Sequence, residues 1–121
     1  MNRKINENNE QSLEESNAYS LFVYAVRSRV TRDWYLRRLR IFFNHLDLKS
    51  DDTIEERCNY FANKGTKDPT WAFNCIVRFF QYQKERVENK EITTGTLKNF
   101  VKSLKVFCEM ADISIPWKKI T

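Results

Sequence analysis

TRDWYLRRLRIF (residues 31–42) and TLKNFVKSLKVF (residues 96–107) state one pattern twice. Thr31-x3-Tyr35-x3-Leu39-x2-Phe42 matches Thr96-x3-Phe100-x3-Leu104-x2-Phe107, and Leu36, Phe43 and Leu46 correspond to Val101, Cys108 and Ala111. Apolar residues at these intervals fall on one stripe of a 3.6-residue helix, whereas on a strand they would scatter over both faces. Both segments are therefore read as amphipathic helices. In the same frame Arg37 and Arg40 match Lys102 and Lys105, on the side away from the stripe. Each helix is expected to bury one face and to show cations on the other.

Between the two copies the chain offers two further helices. Asp52 or Thr53 caps the first, with Glu55 and Glu56 in its first turn as a capping-box arrangement, and Gly65 is read as its end, at about Lys64. Asp68-Pro69 then supplies a cap and a first-turn proline for the longest helix, whose apolar positions include Trp71, Phe73, Ile76, Val77 and Phe80, with Val87 a further candidate. Its far end, Lys84 to Lys90, is almost wholly charged. Thr31 is the expected N-cap of the first matched helix, with Asp33 near its positive dipole end, and Thr93 or Thr94 that of the second, where Gly95 is tolerable in the first turn. Upstream, Ala18, Leu21, Phe22 and Ala25 have helical spacing, although Phe22-Val23-Tyr24 also suits a strand; a short helix packed on the bundle is expected. Residues 1–17, rich in Asn, Glu, Gln and Ser, read as a disordered N-terminal arm. Residues 18–115 form the expected helical domain, and 116–121, opening on Pro116, an exit segment.

Size and composition agree with an all-α bundle of about four to five helices. A chain of 121 residues with nine Phe, five Tyr and three Trp can fill one aromatic core, and two Gly and two Pro are too few for a many-hairpin sheet. No apolar run approaches the length of a membrane span, and the first 17 residues lack a hydrophobic signal core, so a soluble cytoplasmic protein is expected. Cys58, Cys75 and Cys108 are odd in number, widely spaced and set in helical patterns, which reads as core thiols, with neither a disulfide framework nor a metal site. His45 is the only histidine, which disfavours a histidine metal site or acid/base pair. No cofactor is implied.

Charge is distributed unevenly. The net charge is +5; Lys and Arg exceed Asp and Glu by three over residues 31–49 and by three over 93–121, whereas carboxylates exceed cations by two over 50–68. A face that neutralises phosphates needs such a concentration of cations, though a solvated helix face shows the same pattern. Arg32, Arg37, Arg38 and Arg40 suit bidentate phosphate contact or the guanine edge, with Arg32 and Arg38 placed nearer the flank a duplex can reach. Thr94, Thr96, Lys98, Asn99, Lys102 and Lys105 form the second group; a helix N-terminus offers free amides to a phosphate, and Asn99 suits the adenine edge. Trp34, Ile41 and His45 lie off the main stripe, either packed on the short N-terminal helix or as a protomer contact, while Trp71 and Trp117 read as core or domain-edge anchors.

The phrase at 31–42 followed by its second statement at 96–107 resembles the core-binding, SAM-like N-terminal domain of tyrosine recombinases and phage integrases. Ile92 to Ile120, ITTGTLKNFVKSLKVFCEMADISIPWKKI, looks especially like archaeal integrase-type proteins. The likeness covers roughly residues 18–120. It implies a helical half-clamp on double-stranded DNA in DNA integration and recombination, with the matched helices presented to the major groove. A separate catalytic domain would supply the tyrosine nucleophile and its arginine, lysine and histidine partners. No His-x-x-Arg can be written here, since His45 is followed by Leu46, Asp47 and Leu48, and the last tyrosine is Tyr82. The chain is accordingly expected to be non-catalytic. The resemblance departs in the acidic segment 53–64, which looks like an insertion, and in Ile115-Pro116-Trp117 where Asn-Pro is usual. The end at Thr121 falls about where a linker to the catalytic half would start, as in an excised domain or a truncated stand-alone product. Expected partners are duplex DNA and, beyond it, a recombinase catalytic domain or further protomers. The alternative is a helical protein-interaction module, an inhibitor or assembly subunit, using the Trp34/Ile41 side.

Overall fold

The computed structural model describes residues 18–46, 48 and 52–120. The expected arm over 1–17 lies outside them. Five α-helices and one 3-10 turn account for the regular structure, and there is no strand among the described residues: α1 over 18–25, α2 Arg29–His45, α3 Ile54–Lys67, α4 Pro69–Glu88, α5 Thr94–Met110 and the turn Trp117–Lys119. No helix among them is long and apolar enough to cross a membrane. Helix α2 packs on α3, α3 on α4, α4 on α5 and α5 back on α2, a closed ring of four.

The ring closes around phenylalanines because each helix sends its stripe inward. Tyr35, Leu36, Leu39, Phe42 and Phe43 of α2 and Phe100, Leu104, Phe107 and Cys108 of α5 are buried, as the shared phrase requires. Helix α4 adds Ala72, Cys75, Ile76, Phe79 and Phe80, of which Phe79 meets the rings of Phe42 at 5.1 Å and Phe100 at 5.2 Å. Edge-on packing of this kind adds to the burial of each ring. Phe22 of α1 lies 5.7 Å from Phe107 and 6.1 Å from Tyr35, and the Tyr19 amide donates to Asn59 Oδ1 of α3. Helix α3 belongs to the same core through Cys58, Phe61 and Ala62.

Two expected boundaries are corrected. The N-cap of α2 is Ser28, whose hydroxyl accepts from the Thr31 amide, so Thr31 sits inside the first turn and no acidic residue occupies that turn. Serine caps as well as threonine, and the apolar phrase alone does not distinguish a start at 28 from one at 31. Gly65 does not end α3, which continues to Lys67. A Cβ there would stand 3.0 Å from Ile113 Cδ1 and 3.3 Å from Ala72 Cβ, so this glycine answers to the close approach of α3 to α4 and to the chain after α5. The remaining caps match the sequence: Thr53 and Glu56 make a reciprocal capping box, Asp68 accepts from the Trp71 amide ahead of Pro69, and Thr93 accepts from the Thr96 amide.

Helices α4 and α5 end alike. Glu91 N–H donates to Arg86 O and Lys90 N–H to Val87 O, with Lys90 at φ 61°; Ile113 N–H donates to Cys108 O and Asp112 N–H to Glu109 O, with Asp112 at φ 58°. Both are Schellman closures built on a non-glycine residue in the left-handed region. The second turns the chain so that Ile113 and Ile115 enter the core before Pro116.

Candidate functional site

The two matched helices meet at equivalent positions of their phrase. Arg38 Nη1 of α2 donates to Ser103 Oγ of α5 at 3.3 Å, and Ser103 Oγ donates in turn to the Asn99 carbonyl at 2.9 Å. Arg38 and Ser103 occupy the same place in the pattern. Ser103 is fully buried, so the half-buried guanidinium is moored between the helices.

Beside this contact runs a groove of about 330 Å³ lined by Trp34, Arg37, Arg38, Ile41, Thr96, Asn99 and Phe100. Its floor is Phe100. One wall belongs to α2 and the other to the first turns of α5, where Thr96 is fixed by its amide to Thr93 Oγ1 and by a 3.1 Å contact between the two hydroxyls. The guanidinium carbons of Arg37 and Arg38 lie 5.5 and 5.7 Å from the Trp34 ring centre, and Arg38 also covers Tyr35 at 5.9 Å, within cation–π range. Among the described residues the single ion pair is Arg86 with Glu91, at the end of α4. The arginines of the groove thus have no carboxylate within 4 Å among those residues, and their charge is left to solvent or to an anion.

Of the residues singled out in the sequence, Arg37, Arg38, Thr96 and Asn99 come together in this groove. Lys102 stands one turn after Asn99 on α5 and is exposed, outside the residues that line the groove. Others lie elsewhere. Arg32 follows the buried stripe of α2 towards its N-terminus, about 120° round the helix from Arg38, so the two do not share a flank as expected. Arg40 lines a different hollow with Val30, Asp33, Trp34 and Arg37, and its charge reaches Cys58 of α3. Lys98 and Lys105 are exposed on the outer face of α5, and Thr94 is its exposed first residue.

For His45 the expected packing on α1 is corrected. His45 instead stacks against α4, 5.3 Å from Phe79 and 5.1 Å from Tyr82. Trp34 is 50% exposed and Ile41 39%, forming the rim of the groove. Ser103 is not among the residues singled out in the sequence, and its alignment with Arg38 in the repeated phrase is the signal that marks it.

The three thiols are free and buried. Burial pushes the Cys58 thiol up to about 12, offset in part by Arg57 and Arg40; it also raises Cys75 and, well above the usual thiol range, Cys108. None has the depressed value of a reactive nucleophile. Trp71 and Trp117 are half-buried against the core, with Lys64 Nζ 4.4 Å from the Trp71 ring centre. No protein-family model, curated protein or solved structure matches this chain.

Proposed function

We propose that this chain is a duplex DNA-binding module of the tyrosine recombinase or phage integrase type, a SAM-like core-binding domain acting in DNA integration and site-specific recombination, with strand cleavage left to another domain. The observation that carries the reading is the groove in which Arg37 and Arg38 of α2 meet Thr96 and Asn99 of α5 without a neutralising carboxylate among its lining residues. In this reading Arg37 and Lys102 contact phosphates from two helices, Arg38 keeps the helices in register through Ser103, and Asn99 offers its amide to a base edge. The cations on the outer face of α5, Lys98 and Lys105, add long-range attraction.

Mobility shifts on duplex DNA across a salt series test this. About five phosphate contacts give a slope of roughly −4 to −5 in log affinity against log salt. Measurable binding with a flat salt response would overturn it. The exposed Trp34 and Ile41 favour a second reading, a helical protein-interaction module, for which no retention of duplex at any salt is expected.

A further inference from the structure

We infer that the groove between Trp34 and Asn99 takes an unpaired base of the bound DNA, adenine in preference to other bases; this deepens the DNA-binding reading and rests on it. A groove meant only for phosphates needs no apolar walls. This one has Trp34, Ile41 and Phe100, of which Trp34 and Ile41 remain substantially exposed. Val30, 68% exposed, extends the same edge of α2 by one turn before Trp34. Single exposed apolar residues are ordinary, but a row of them beside arginines is a surface that favours flat, apolar faces flanked by negative charge.

Three features narrow the occupant. Trp34 and Arg37 line two hollows, and the one shared with Arg40 is also lined by Asp33, whereas the lining of the one shared with α5 contains no acid. A polyanion is therefore directed to the α5 side. The volume there, about 330 Å³, lies at the low end of small-ligand sites, enough for one heterocycle and too little for a helix. Finally, the Asn99 side chain has no hydrogen-bond partner among the described residues, its backbone carbonyl alone being engaged by Ser103, so an amide donor and acceptor are both free at the wall opposite the indole. That pair matches the donor and acceptor of an adenine edge. Paired bases keep their faces stacked in the helix. Only a base out of the stack, at a bulge, gap or end, can lie against Trp34, with the guanidinium groups of Arg37 and Arg38 that now lie over its ring moving aside to its phosphates.

The experiment measures the affinity of the full chain for two duplexes identical except for one bulged nucleotide, by anisotropy, with 2-aminopurine at the bulge as a stacking reporter. Bulged adenine is expected to bind at least fivefold more tightly than the paired duplex, with the reporter quenched on binding. Trp34→Ala is expected to bring that ratio close to one, Trp34→Phe to keep most of it, and Asn99→Ala to remove the preference for a bulged adenine over a bulged cytosine. Equal affinity of wild-type protein for both duplexes, or an undiminished ratio in Trp34→Ala, would overturn the inference while leaving duplex binding intact. Should Trp34→Ala fail to fold, as judged by circular dichroism, the Trp34→Phe and Asn99→Ala ratios decide. Self-association lost in a Trp34 variant would assign the ridge to a second copy of the chain and overturn the inference. If neither duplex is bound at any salt, the DNA-binding reading itself fails.

Discussion

Lys90 holds a left-handed backbone at φ 61° to close α4, a conformation that costs an L-residue about 1 kcal/mol relative to glycine. Its side chain is exposed, so Lys90→Gly is expected to raise stability by about 1 kcal/mol, read as an upward shift of a few degrees in Tm; a fall would show that the lysine contributes something its surroundings do not reveal. Arg57 presents the reverse case. It is buried in α3, its Nη1 donates to Asn44 Oδ1 at 2.7 Å, and its Nε has no partner among the described residues. Because Asn44 is exposed and can turn to water, Arg57→Met is expected to hold or raise the denaturation midpoint. The thiols give a pH dependence of definite sign. Cys58 has an ordinary value of 9.0 and is pushed to about 12 by burial, so the unfolded chain loses this proton first. Stability is independent of the group below about pH 9 and falls as pH rises from there towards 12. Alkylation of the native protein near pH 8 should accordingly be slow at all three cysteines and become fast only in denaturant.

Helices α2 and α5 were legible from the spacing of their apolar residues because a helix of fixed period converts order along the chain into position around an axis. The faces then follow, and Tyr35, Leu39, Phe42, Phe100, Leu104 and Phe107 are all buried. Boundaries were less legible. Ser28 and Thr31 are chemically equivalent as caps, and a glycine near a helix end reads as a stop unless the neighbouring Ile113 and Ala72 are known. In α4 the spacing marks Ile76 and Phe80 as core but not Phe79, which the ring of four helices makes a meeting point of aromatic rings. Phe107 is fully buried between Phe22, Phe43 and Phe61. Phe107→Ala should therefore cost about 3–5 kcal/mol. Tyr24→Ala, at a position 79% exposed, should stay within about 0.5 kcal/mol, and chemical denaturation of both variants separates the cases.

At the scale of the molecule, the sequence placed cations on two helices but carried no information on which of them would converge. Convergence depends on the α2–α5 crossing, set by Arg38 against Ser103 and by the shared phenylalanine core. It brings Arg37, Arg38, Thr96 and Asn99 to one groove and carries Arg32 and Arg40 away from it. His45 was misplaced for the same reason, since spacing puts it off the stripe without saying what lies opposite, whereas the Trp34/Ile41 side is exposed as expected. The central claim, that arginines of α2 at this groove and the lysine one turn beyond Asn99 on α5 neutralise phosphates of one duplex, is tested most directly by matched charge reversals. Arg37→Glu with Lys102→Glu reverses one cation of the groove and one on the next turn of α5, and Lys67→Glu with Arg78→Glu makes the same change of net charge on exposed positions of α3 and α4. Salt-dependent duplex affinity is the measurement. The groove pair is expected to lose more than tenfold in affinity and about two units of salt slope, with the control pair close to wild type in slope; equal losses in the two variants would contradict the assignment of the DNA to this groove.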